Sequence, residues 1–247
     1  MRQPIQSEGK APPLSNRPSM LNDFFDTQSE PESFFFQDCE YPWQGLVNLK
    51  GRMKELIAEK GPRVPEGLPD SVVIKGEVHI EDGALIEENT FIQGPCFIGA
   101  GAEVRFGAYI RGNVYVGRKA VVGHDTEVKH SLLFPGAKAA HFAYVGDSIL
   151  GREVNLGAGT KCANVRVDMG KSNLVLRIEG EKYDSGIRKF GAIMGDGASV
   201  GCNSVTNPGT LLGRESLAYP LSNLSGYIPP RTIVKVKQSQ QQVTRRS

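Results

Sequence analysis

Residues 74–128 read IKGEVHIEDGALIEENTFIQGPCFIGAGAEVRFGAYIRGNVYVGRKAVVGHDTEV. Aliphatic side chains stand at Ile74, Ile80, Ile86, Ile92, Ile98, Val104, Ile110, Val116, Val122 and Val128, one in every six positions without a miss. Neither a helix nor an ordinary alternating strand repeats at that interval. A period of six is that of a parallel β-helix, in which each hexad is one short strand plus one turn and about three hexads close a triangular coil. The aliphatic then points inward and stacks on its equivalents in the coils above and below. Glycine follows it at Ile98-Gly99, Val116-Gly117 and Val122-Gly123, where a corner leaves no room for bulk.

Beyond Val128 the register slips across residues 134–149, then resumes at Leu150, Leu156 and Cys162, and again at Met194, Val200, Thr206, Leu212 and Ala218. The β-helix is therefore expected over residues 71–236, with two excursions. The first is 134–149, FPGAKAAHFAYVGDSI. The second is 165–189, VRVDMGKSNLVLRIEGEKYDSGIRK, which reads as a hairpin with Leu174–Ile178 extended and Glu179-Gly180 at its turn. Loops that interrupt a regular scaffold often carry its function.

Outside the repeats, residues 1–19 and 237–247 are polar and have the composition of disordered tails. Residues 20–70 hold Phe24, Phe25, Phe34, Phe35, Phe36 and Trp43, followed by a helical pattern over 43–60. There Leu46, Leu49, Met53, Leu56 and Ile57 share a face before Gly61-Pro62 ends it. This segment is expected to cap the open end of the solenoid, with a partner-docking role as the alternative. Twenty-nine basic residues nearly balance 27 acidic ones, so no field favours nucleic acid or a membrane surface. The four cysteines, Cys39, Cys96, Cys162 and Cys202, form no CxxC pair, which fits a reducing compartment. With no apolar run long enough to cross a bilayer and no signal-peptide core at the start, a cytoplasmic protein is expected.

Chemistry-bearing residues gather around the first break. His141 and Tyr144 lie in it, Glu127 and Lys129 shortly before, and Asn155 shortly after. Arg111 precedes Lys129 by one coil, so the two cations would stack on one side. Stacked cations beside a histidine suit an acceptor that carries phosphate, the cations holding the anion while the imidazole takes a proton. The bland alternative is two solvated coil residues and a loop histidine. Zinc chemistry of the γ-carbonic-anhydrase kind needs three well-spaced histidines. His79, His124, His130 and His141 do not supply them, so no metal is expected.

The run EVKHSLLFPGAKAAHFAYVGDSILGREVNLGAGTKCANV at residues 127–165 resembles the acetyltransferase domain of the bifunctional N-acetylglucosamine-1-phosphate uridyltransferase/glucosamine-1-phosphate acetyltransferase family. The AxHxxYxGD core at Ala139–Asp147 and the NxGAGTxxxN core at Asn155–Asn164 carry the likeness, which extends over roughly residues 72–235. The resemblance implies a left-handed parallel β-helix, a homotrimer with active sites between subunits, and acetyl-CoA as co-substrate. It makes His141 the general base and Glu127 the group that orients it. Arg111, Lys129 and Tyr144 would hold the sugar phosphate and Asn155 the sugar. Asn164 would lie where acceptor and thioester meet, with Ala158 and Cys202 along the acetyl-CoA site. Cys202 replaces a serine common in the family. Lys189 is the counterpart of a family lysine once the second excursion is bridged, and Lys235 or Lys237 would meet coenzyme A.

The family's uridyltransferase domain has no counterpart in residues 1–70, so activity toward UTP is not expected. The excursion at 165–187 replaces a short family loop, which allows an acceptor other than glucosamine 1-phosphate. The expected function is acetyl-CoA-dependent N-acetylation of an amino-sugar phosphate or nucleotide sugar. The alternative is a non-catalytic sugar-phosphate-binding or assembly module on the same scaffold.

Overall fold

Each hexad becomes a strand of two to four residues, and strands one coil apart pair in parallel to form three eight-stranded sheets. The computed structural model describes residues 20–168, 170–237 and 239–245, so the expected tail over 1–19 lies outside it. The three sheets are the walls of a parallel β-helix. The first wall runs from Val73–Lys75 to Asn223–Leu224, the second from Val78–Ile80 to Tyr227–Ile228, and the third from Leu85–Ile86 to Ile233–Val234. Pairings such as Ile92 with Ile110 and Val104 with Val122 set the hexad aliphatics directly over one another. From Ile80 to Leu212 these inward side chains are fully buried and form one continuous column.

Residues 134–149 stay in the coil, contrary to the expected excursion. They supply Lys138–His141 to the third wall, Tyr144–Gly146 to the first and Ile149–Leu150 to the second. The register slips because two corners are each one residue short. Val128 is followed inward by Leu133, and Val145 by Leu150, so Val128 pairs with Val145 and Leu133 with Leu150. The shortened corners carry His130 at φ 46° and Asp147 at φ 47°. Ser131 and Ser148 follow them, and their hydroxyls take over hydrogen bonds that the tightened backbone cannot make to itself. Ser131 Oγ accepts from Ser148 N at 3.0 Å, and Ser148 Oγ accepts from Ala192 N at 3.0 Å.

The second break does leave the coil. Val175–Ile178 pairs antiparallel with Glu181–Asp184 around Glu179-Gly180, whose φ values of 51° and 95° suit a two-residue hairpin turn. The chain rejoins the coil at Phe190, whose N–H donates to Asn164 O at 2.9 Å.

The helical part of the N-terminal segment does not cap an end of the solenoid, whereas the stretch after it does meet the first coil, with Arg63 paired to His79 and Leu68 packed against the inward column. Helices α1 (Glu32–Phe35) and α2 (Gln44–Lys60), with the turn at Met20–Asp23, lie along the second wall. The reason is in the strands of that wall. Cys96-Phe97-Ile98, Val114-Tyr115-Val116 and Ala192-Ile193-Met194 are buried on both faces, so their middle residues need an outer cover. Phe24, Phe25, Phe35, Phe36, Leu49 and Met53 supply it over Phe97, Tyr115, Leu132, Ile149, Ile193 and Leu211. The hairpin adds Leu174, Leu176 and Ile178 to the same layer. Tyr183 of the hairpin meets Trp43 with ring centroids 5.8 Å apart, so hairpin and helix hold each other. One wall is thus covered, and the first and third keep solvent-facing surfaces.

Candidate functional site

The first wall presents its outward side chains in rows, because alternate residues of a strand face the same way. Arg111, Glu127, Lys129 and Tyr144 all stand on it, with Glu127 next to Tyr109 on one side and Tyr144 on the other. Arg111 Nη1 donates to Glu127 Oε1 at 2.7 Å, and its guanidinium lies 5.8 Å from the Tyr109 ring centroid. Lys129 Nζ donates to both oxygens of Asp147, at 2.9 and 3.2 Å. Both expected phosphate ligands therefore carry a carboxylate partner that sets where the cation points.

Asp147 belongs to this site, although in the sequence it does no more than close the AxHxxYxGD motif. It is nearly buried, and its Oδ2 also accepts from Asn164 Nδ2. Burial and then the charges of Glu127 and Asp147 push the Tyr144 phenol above its usual pKa. Tyr144 thus keeps its proton and can donate it outward. The signal that would have found Asp147 is an acid at a positive-φ corner one coil above Lys129. Reading 134–149 as a loop hid that stacking.

His141 ends a strand of the third wall, and Tyr144 begins the next strand of the first. Only the corner Phe142-Ala143, with Phe142 at φ 49°, separates them. The ring of His141 is exposed, lies beside Phe142 at 6.0 Å between centroids, and makes no side-chain hydrogen bond among the described residues. Glu127, expected to orient it, is brought to Arg111 instead, because both are outward residues of neighbouring first-wall strands.

On the third wall a groove of about 410 Å³ begins at Asn155 and Gly157 and passes Val200, Cys202, Leu217 and Tyr219. Gly157 and Gly201 keep it shallow and close-packed. A Cβ at Gly157 would lie 2.5 Å from Cys202 N, and one at Gly201 would lie 2.3 Å from Pro220 N. Ala158 follows Gly157 in the chain but does not line the groove, and its carbonyl accepts from Asn203 N at 2.8 Å. Lys235 Nζ stands over the Tyr219 ring at 5.8 Å, at the far end of the groove, and Lys237 has no such contact. Lys189 is exposed at the root of the hairpin, next to the Phe190–Asn164 hydrogen bond. The structure thus gathers Arg111, Glu127, Lys129, Tyr144, Asn164 and Lys189 on or beside the first wall. Asn155, Ala158 and Cys202 lie on the third, and His141 stands at the edge between them. Among the described residues no cluster of three or more His, Cys, Asp or Glu side chains is arranged to hold a metal ion.

Comparison with known proteins places the chain among relatives. A bifunctional sugar-1-phosphate nucleotidylyltransferase/acetyltransferase of Sulfurisphaera tokodaii is 35% identical over 186 residues, covering 75% of this chain and 45% of that protein. The bifunctional protein GlmU of Methanococcus maripaludis strain C7 is 46% identical over 183 residues, covering 74% and 43%. The chain therefore spans less than half the length of these relatives. A hexapeptide transferase family protein from Anaplasma phagocytophilum matches in structure at a TM-score of 0.41 and 18% identity, over 65% of this chain and 82% of that one. The family model described as the GMPPB C-terminal domain matches residues 92–218, the stretch that holds the hexad column and most of the site. The chain belongs to that family of hexapeptide-repeat domains.

Proposed function

We propose that this chain is an acyl-CoA-dependent N-acetyltransferase whose acceptor is the amino group of a hexosamine phosphate or nucleotide sugar. The observation that carries the reading is the edge at His141. On one side lie two oriented cations, the Tyr144 hydroxyl and Asn164, which suit a phosphorylated sugar. On the other lies a largely apolar groove bordered by a lysine, which suits the pantetheine arm and phosphates of coenzyme A.

In this reading the amine attacks the thioester carbonyl, a C–N bond forms and the C–S bond breaks. His141 accepts the proton that the amine must lose and returns it to the departing thiolate. Positioned proton transfer of this kind contributes roughly a hundred- to ten-thousand-fold. Arg111 and Lys129 hold the phosphate so that the amine meets the thioester in line, and such orientation lowers a barrier by several kcal/mol, up to about 7–11 in favourable cases. A relative named as a nucleotidylyltransferase/acetyltransferase and one named GlmU support the reading, as do the motifs at Ala139–Asp147 and Asn155–Asn164 that carry the family resemblance.

The rival reading, a sugar-phosphate-binding module without turnover, draws on one observation. Glu127 is engaged by Arg111, so no carboxylate orients His141. Release of free coenzyme A from acetyl-CoA, measured across a panel of amino-sugar phosphates, separates the two. Turnover that falls about a hundred-fold or more in His141→Ala, with acetyl-CoA binding within twofold of wild type, supports acetyl transfer by this base. Sugar-phosphate binding without thiol release would establish the binding module.

A further inference from the structure

We propose that Asp147 is the positioning residue that sets both the phosphate affinity of Lys129 and the orientation of Asn164; this rests on the acceptor site proposed above. Three contacts converge on its carboxylate and its backbone. Its two oxygens take donors of Lys129 at 2.9 and 3.2 Å, and Oδ2 also takes Asn164 Nδ2. Its carbonyl accepts from Gly191 N at 2.8 Å, which fixes the return of the hairpin to the coil. The side chain of Asp147 is 6% exposed and that of Lys129 is 22% exposed, so the pair sits under the surface with only the lysine reaching it.

Two consequences follow from hydrogen-bond capacity. An amide nitrogen has two hydrogens. One hydrogen of Asn164 Nδ2 goes to Asp147, which holds the nitrogen end of the amide against the carboxylate. Asp147 therefore decides which end of the amide it keeps, and leaves the oxygen as the acceptor that an amine or an amide N–H needs. Meanwhile the carboxylate competes with any external phosphate for Lys129. It weakens acceptor binding while it sharpens geometry. A residue of this kind opposes affinity and favours turnover, and a merely structural acid would do neither.

The test compares wild type with Asp147→Asn and the double variant Asp147→Asn/Lys129→Ala, using glucosamine 1-phosphate as probe. Calorimetry measures its binding and thiol release measures turnover with acetyl-CoA. With its internal carboxylate neutralised, Lys129 is expected to bind the sugar phosphate at least threefold more tightly. Turnover is expected to fall about ten- to a hundred-fold, the loss that a misplaced group of about 1 Å produces. Adding Lys129→Ala should abolish the affinity gain. Binding and turnover both unchanged in Asp147→Asn, or both lowered in proportion to a loss of folded protein seen by circular dichroism, would overturn the inference. Tighter binding by the variant with no thiol release by either protein would sustain the Lys129 competition and remove the acetyltransfer reading. Absence of sugar-phosphate binding in both would overturn the two together.

Discussion

Glu32 has no exposed surface, and its Oε2 meets Arg152 at 2.5 Å while Oε1 has no partner. Burial pushes its carboxyl from 4.5 up to about 7, and the hydrogen bond from Arg152 only partly opposes this. Asp196 faces the same place, and burial raises it too, although Asp26 N, Arg152 N and Arg214 hold it. The fold therefore prefers Glu32 protonated. A carboxyl whose folded pKa lies above its unfolded value contributes stability below the unfolded pKa and loses it as pH rises through the folded one. The melting temperature of wild type should thus fall relative to Glu32→Gln between about pH 5 and pH 8, because the amide has no proton to lose. Parallel curves for the two proteins would show that Glu32 stays charged throughout. None of this was legible in the sequence, since Glu32 and Arg152 stand 120 positions apart and Glu32 sits in a stretch read only for its aromatics. His141, Tyr144 and Asn164 were legible for the opposite reason. Their spacing within a short motif survives translation into three dimensions, whereas the partners of Glu127 and Lys129 come from adjacent coils.

At the scale of elements, the hexad column was legible and the layer outside it was not. An inward aliphatic every sixth residue announces itself, while the outward Phe97, Tyr115 and Leu132 recur only once per coil, an interval three times longer and easily lost among the inward hexads. The hairpin illustrates the cost. Its charged residues, among them Arg177 and Lys182, are exposed, and its apolar residues decide its place. Leu174, Leu176 and Ile178 are buried against the second wall, and a Cβ at Gly209 would lie 2.3 Å from Leu174 and 2.8 Å from Leu176. Leu176→Ala should therefore cost about 2–5 kcal/mol in denaturant unfolding, the range for a truncated core leucine. A hairpin that merely decorates the surface would lose no more than about 0.5 kcal/mol. The helix α2 obeys the same logic: Leu46, Leu49, Met53 and Ile57 fall on one buried face, as its spacing predicts. What spacing could not reveal is that this face meets a wall rather than an end.

For the molecule as a whole, covering the second wall leaves the first and third to meet any other copy. Val73, Tyr109 and Val205 are exposed on the first, Leu85, Leu217 and Ile233 on the third, and Phe106 and Phe142 at the edge they share. Apolar groups concentrated on two adjoining walls favour a symmetric assembly that buries that edge, in line with the trimer implied by the resemblance. We therefore propose a trimer, and light scattering should return about three times the 26.8 kDa of one chain at micromolar concentration. A monomer mass would remove the shared-site arrangement. The cladding has one more consequence. A bare solenoid is quasi-one-dimensional: coils touch only their neighbours, and coils can be added or lost without offending the rest. Here a single N-terminal strap contacts rungs from Phe97 to Leu211, and Asp23 O reaches as far as Arg214 N at 2.9 Å. Deleting or duplicating one coil would move every rung beyond it by one strand spacing, about 4.8 Å, against a strap of fixed length. The array has thereby exchanged the freedom of a repeat for the all-or-none character of a globular domain, and its number of coils is no longer free to drift.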